Sequence, residues 1–103
     1  MIAEDTIREA VSRLAADPLP RRIILFGSQA RGDADAGSDI DLLVIESEVP
    51  DRAAERVRLR RLLGRLPAAF DVLVYTQAEL DHWGKEPGSA LYWALKEGKV
   101  LHG

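Results

Sequence analysis

The sequence predicts an α/β protein of the α+β kind: a small mixed sheet of three to four strands with helices packed on it. Three observations lead there. Short apolar runs rich in β-branched and aromatic residues read as buried strands: Ile23-Ile24-Leu25-Phe26, then Ile40 to Ile45, then Ala69 to Tyr75. Two longer stretches, residues 3 to 16 and 51 to 64, instead space their apolar residues as helices do. The chemistry-bearing residues stand at the end of the first run and at the starts of the other two. A shared site then requires strand one to run antiparallel to strand two, and strands two and three to run parallel. This differs from a Rossmann sheet, whose ligands gather outside the carboxyl ends of parallel strands.

The whole chain narrows the classes further. Its 103 residues give room for one compact domain over residues 1–103, and 47% hydrophobic content can supply its core. A net charge of −3 with 30% charged residues argues against bulk nucleic-acid binding, although a local basic patch stays open. There is no cysteine, which excludes disulfides and thiolate metal sites. The first ten residues, MIAEDTIREA, are acidic and amphipathic, unlike a signal peptide. No apolar run is long enough to cross a bilayer, so a cytoplasmic location is expected.

In order along the chain, Ile7, Ala10, Val11 and Leu14 line one face of the first helix. Thr6 and Glu9 offer a capping box unless that helix starts earlier, and Asp17-Pro18-Leu19-Pro20 stops it. After strand one, Gly27 permits a sharp turn and close approach of a ligand. Ser28 offers a hydroxyl and suits the cap of a short helix over Gln29 to Arg31. N–H groups at a helix start attract phosphate oxygens, and Arg31 adds a positive charge one turn on. Gly32, Asp33, Asp35 and Gly37 mark a loop. The second strand is expected from Ser38 to Ile45, so Asp39 and Asp41, two apart, project together while Ile40, Leu42 and Val44 take the other face. Like charges held so close repel, and a cation between them relieves this. Hard oxygen donors without sulfur suit Mg²⁺. A phosphate cradle facing paired carboxylates is the apparatus of metal-assisted phosphoryl or nucleotidyl transfer.

Gly27-Ser28, ten residues, then Asp39-Ile40-Asp41 resembles the signature of the DNA polymerase β-like nucleotidyltransferase superfamily. The fuller string GSQARGDADAGSDIDLLV resembles its minimal nucleotidyltransferase branch, the small antitoxins paired with HEPN-domain toxins. The resemblance is strongest over residues 22 to 45 and looser elsewhere. It implies the polymerase β-like fold, two Mg²⁺ ions on Asp39, Asp41 and Asp71 with Asp41 bridging, and ATP as the nucleoside triphosphate. Gly27 and Ser28 would hold its β- and γ-phosphates, with Arg31 steadying them or bracing the loop. It further implies transfer of AMP to a tyrosine hydroxyl of a cognate HEPN toxin, which silences it. Asp71 is the one charge in the third apolar run. It reads either as an exposed strand-start residue or as a third metal ligand and base, and the family carries a third carboxylate in such a strand. With no spare length for an acceptor-binding domain, the acceptor is expected to arrive on a second macromolecule or a second copy of this chain. Two rivals stand: an antitoxin that only binds its toxin, and a transferase acting on a free metabolite.

The rest of the chain leaves alternatives open. Glu46 to Pro50 reads as a turn, and Asp51 as the cap of the second long helix. That segment carries Arg52, Arg56, Arg58, Arg60 and Arg61, with Arg65 just beyond, either a solvated face or a surface for RNA or an acidic partner. No aromatic residues interleave with them as in a single-strand binder. Thr76 and Glu79 form a capping box, Ser89 opens a last helix ending at Gly98, and Val100-Leu101 suggests a short strand. Trp83, Leu91, Tyr92 and Trp93 read equally as core or as partner interface. His82 and His102 read as surface or packing residues.

Overall fold

The computed structural model describes residues 2–17, 20–32 and 39–103. In chain order come α1 (Ile2–Ala15), β1 (Pro20–Phe26), α2 (Ser28–Arg31), β2 (Ile40–Glu46), α3 (Arg52–Leu63), β3 (Phe70–Thr76), α4 (Gln77–Trp83), α5 (Ala90–Glu97) and β4 (Lys99–His102). The strands form one four-stranded sheet in the order β3-β2-β1-β4. β1 pairs antiparallel with β2 and β4, and β2 pairs parallel with β3. This is the mixed sheet that convergence of the site residues requires. Among the described residues no helix is long and apolar enough to cross a membrane.

Period-two alternation on the central strand builds two cores. Ile40, Leu42 and Val44 join Ala10 and Leu14 of α1 and Leu59 and Leu63 of α3 on one face. Leu43 and Ile45 join Leu80 of α4 and Leu91 and Ala94 of α5 on the other. β2 is thus buried along almost its whole length, and Asp41 is its one half-buried position.

Local chemistry explains most helix ends. The Asp51 side chain accepts from the Ala54 N–H at 3.1 Å and caps α3. Thr76 and Glu79 close the expected capping box of α4, and the Ser89 side chain caps α5. The Thr6–Glu9 box does not form, because α1 begins earlier and buries Thr6 in its interior. Pro18 and Leu19, read as helix breakers, lie outside the described residues, as do Asp33, Asp35, Gly37 and Ser38. Strand two begins at Ile40 and runs on to Glu46, so Glu46 is a buried strand end, not part of a turn. Leu91 enters the core, whereas Trp83 and Trp93 are about half exposed, which divides the aromatic tail between its two readings. His82 and His102 are exposed.

The arginines of α3 have a role that neither reading anticipated. β3 is an edge strand, so every second carbonyl lacks a sheet partner. Arg52 Nε donates to the Val74 carbonyl at 3.0 Å, Arg56 Nε to Val72 at 3.1 Å, and Arg60 Nη2 to Phe70 at 3.4 Å. Four residues of helix advance about 6 Å, and two residues of strand advance about 6.6 Å. Arginines at i, i+4 and i+8 therefore match alternate carbonyls, and the helix closes the sheet edge. Arg52 also bonds Glu79 of the capping box and lies over the Tyr75 ring. Arg52→Ala should lower the unfolding free energy by about 1–2 kcal/mol. Arg61→Ala, at an exposed position of the same helix, should change it by less than about 0.5 kcal/mol. Urea denaturation midpoints test both, and equal effects would remove the edge-closing role.

Candidate active site

The site forms where β1 ends. Gly27 takes φ 74° and ψ −156°, a conformation that side-chain-bearing residues rarely adopt, and this turns the chain from β1 into α2. Gly27, not Ser28, is the cap residue of α2, and no side-chain cap bond forms; Ser28 is the first helical residue. The Gly27 carbonyl accepts from the N–H groups of Ala30 and Arg31, both at 3.1 Å. The N–H groups of Ser28 and Gln29 open the helix, where none has an intrahelical acceptor.

Strand register delivers the carboxylates. Phe26 sits opposite Asp41 on β2, and Asp41 sits beside Asp71 on β3. Gly27, one residue beyond Phe26, therefore lies against the Asp41 carboxylate. A Cβ built on Gly27 would overlap Asp41 Oδ2 and lie 3.1 Å from its Cγ. Only a glycine leaves room for this carboxylate. Asp39 is exposed and immediately precedes β2 instead of lying within it.

The three aspartates share one electrostatic environment. The Asp41 carboxyl is pushed above its ordinary value by burial, then by the charge of Asp71 and that of Asp39, while Arg31 pulls the other way. Arg31 Nη1 lies 3.2 Å from Glu97 Oε2 at the end of α5. Arg56 Nη2 lies 4.0 Å from Asp71 Oδ1, with both side chains nearly half exposed. Asp71 is thus partly exposed at the strand start, as one reading expected, and its charge acts on Asp41.

Among the described residues no three His, Cys, Asp or Glu side chains close a metal cage by themselves. The donor set still fits a hard divalent ion. It offers oxygen alone, it concentrates like charge around Asp41, and Mg²⁺ usually takes only one or two carboxylates and completes its shell with water and substrate phosphates. A cavity of about 680 Å³ lies elsewhere, lined by Ile7, Val11, Leu25 and Leu101 on the sheet face away from Asp41.

The sequence profile of the family described as "Nucleotidyltransferase domain" matches residues 4–97. The chain belongs to this family. One curated relative is the Methanocaldococcus jannaschii protein named "Putative protein adenylyltransferase MJ0141", 36% identical over 67 residues, covering 65% of this chain and 66% of that one. Another from the same organism, "Putative protein adenylyltransferase MJ1305", is 54% identical over 39 residues, 38% of this chain and 26% of that one. The chain therefore spans just under two thirds of the first and about a quarter of the second. Among solved structures, a Sulfolobus solfataricus protein described as a "putative nucleotidyltransferase" superposes with a TM-score of 0.55 at 25% identity, covering 79% of this chain and 69% of that one. A chain from a toxin-antitoxin structure with AMP-PNP gives a TM-score of 0.63 at 26% identity, covering 97% and 73%.

Within this member of the family, the residues singled out in the sequence gather at one end of the sheet. Asp39, Asp41 and Asp71 share an electrostatic field, Gly27 sits against Asp41 with Ser28 next to it in the chain, and Arg31 lies within electrostatic reach. Sequence reasoning missed Arg56 and Glu97. Arg56 was legible only as one of several arginines on a helix. Glu97 carries no local signal at all, since it meets Arg31 across 66 residues of chain.

Proposed function

We propose that residues 1–103 act as a minimal Mg²⁺-dependent nucleotidyltransferase that transfers AMP from ATP to a hydroxyl of a partner protein. The partner in this reading is a cognate HEPN-domain toxin, the acceptor a tyrosine, and the setting the cytoplasm. One observation carries the reading: Asp39 and Asp71 act on Asp41 directly beside the turn that a glycine keeps open. The relatives named as protein adenylyltransferases and the toxin-antitoxin neighbour with AMP-PNP support the choice of acceptor and nucleotide.

In this mechanism Gly27 and Ser28 hold the β- and γ-phosphates, and Arg31 steadies them. Asp39, Asp41 and Asp71 would hold two Mg²⁺ ions, with Asp41 shared. The ions, when bound, neutralise phosphate charge and activate the attacking oxygen. Asp71 takes the proton from the acceptor hydroxyl. A bond forms from that oxygen to the α-phosphorus, the bond to the β-phosphate bridge breaks, and pyrophosphate leaves. A protein acceptor fits better than nucleic acid, because Arg52, Arg56, Arg58 and Arg60 of α3 are engaged at the sheet edge and in ion pairs.

Intact-mass spectrometry of the toxin partner, with ATP and Mg²⁺, tests the proposal. Wild type should add one or more AMP groups, and Asp39→Asn/Asp41→Asn should add none while still binding the partner. A stable, inactive complex without any added mass from wild type would instead identify an antitoxin that works by binding alone.

A further inference from the structure

We infer that Arg56 is a built-in counter-ion for Asp71, supplying the positive charge at that carboxylate until a divalent cation replaces it. The inference rests on the proposed cation-binding role of the three aspartates and adds a residue to it. Two contacts fix Arg56. Its Nε donates to the Val72 carbonyl at 3.1 Å, and its Nη2 stands 4.0 Å from Asp71 Oδ1. An exposed arginine normally loses much of an ion pair's benefit to side-chain entropy. Here the carbonyl bond has already ordered the guanidinium, so its fixed fork presents a second nitrogen to the carboxylate at little further cost.

The neighbouring rungs make the placement specific. Arg60 reaches the same strand edge through the Phe70 carbonyl, and Arg52 through Val74 with Glu79 beyond it. Only the Arg56 rung faces one of the site's carboxylates. Three like charges crowd this end of the sheet in the cation-free protein, and a tethered guanidinium offsets part of that repulsion. A cation arriving at Asp71 must then compete with a fixed positive charge. Arg56 thereby lowers cation affinity and favours loading when phosphate oxygens arrive as additional ligands. It is a positioning residue, because it acts through the Asp71 carboxylate.

Mn²⁺ alone, titrated into the full chain and followed by the EPR signal of the free ion, tests this without turnover. Arg56→Gln retains a donor for the Val72 carbonyl, and Arg56→Ala does not. Both should tighten Mn²⁺ binding roughly three- to tenfold, the scale expected for removing one partly screened charge. Arg60→Ala removes the same charge from the next rung and should leave the affinity unchanged. In an Asp71→Asn background, Arg56→Gln should have no effect. Unchanged or weaker binding by Arg56→Gln, equal tightening by Arg60→Ala, or an effect that persists without Asp71 would each overturn the inference. Wild-type binding that Asp39→Asn/Asp41→Asn abolishes, with no response to Arg56, would sink this inference alone. No binding by any variant would remove the cation reading with it.

Discussion

Gly27→Ala should reduce nucleotidyl transfer by at least about a hundredfold while leaving most of the fold standing. A methyl group there would overlap Asp41 Oδ2. The carboxylate is the end of a short side chain and can swing aside, so the protein survives. What moves, however, is the group on which Asp39 and Asp71 converge, and displacements near 1 Å in positioned groups cost about that much in rate. The backbone adds a separate penalty. At φ 74° an alanine is strained, by about 1–2 kcal/mol.

Gly32→Ala separates the two effects. Gly32 has a similar φ of 82°, yet an added Cβ there would meet nothing within 4 Å. It should lose stability on the same scale and keep transfer within severalfold. Urea midpoints and the mass-shift assay, run on both variants, decide the matter. Equal losses of transfer would mean that backbone strain, not the Asp41 contact, accounts for the effect of Gly27.

Much of this architecture was legible because its signals are local. Alternating apolar residues, a capping aspartate at Asp51 and the Thr76–Glu79 box are each read within a few residues, and each forms. The site was legible for a related reason. Gly27, Asp39, Asp41 and Asp71 sit at strand ends, and one assumption, that they meet, fixed the direction of three strands. Features that depend on which strand lies at the edge were not legible. The spacing of Arg52, Arg56 and Arg60 is what a solvated helix would also show, and only the position of β3 at the sheet edge gives it another meaning. Glu46 was misread for the opposite reason: an acidic residue followed by serine and glutamate looks like a turn, yet strand pairing carries β2 one residue further and buries it.

That buried carboxyl should make the protein lose stability as the pH rises. Glu46 is 2% exposed, and among the described residues its Oε2 has no hydrogen-bond partner. Around it stand Glu55 and Arg58 of α3 and Asp17 at the end of α1, with Glu48 and Asp51 lining the adjacent cavity of about 300 Å³. Arg58 is shared three ways: it bonds Glu55 at 2.5 and 2.7 Å, also bonds Asp17, and remains 3.8 Å from Glu46. One guanidinium therefore faces three carboxyls, and the proton settles on the deepest of them. Burial first, then the hydrogen bond and charge of Glu55, push the Glu46 carboxyl up from 4.5 to about 8. The Arg58 hydrogen bond holds Glu55 below its ordinary value, so Glu55 stays ionised and accepts the Glu46 proton.

The sign follows from proton counts. Below pH 4.5 the Glu46 carboxyl is protonated in both the folded and unfolded chains and contributes no pH dependence. Between 4.5 and about 8 the folded chain keeps a proton that the unfolded chain has lost. Stability therefore falls across that window, by at most about 1.4 kcal/mol per pH unit from this group. Glu55 and Glu79 oppose it only on the acid side, because their lowered values remove stability as the pH drops below the ordinary carboxylate range. Glu46→Gln keeps a donor for Glu55 and cannot ionise. It should match wild type near pH 5 and exceed it by at least about 2 kcal/mol at pH 9, with Arg58 remaining paired to Glu55 and Asp17. Urea denaturation at pH 5, 7 and 9 measures this directly. Parallel stability curves for the two proteins would show that Glu46 ionises normally in the fold, with Arg58 compensating its burial in full.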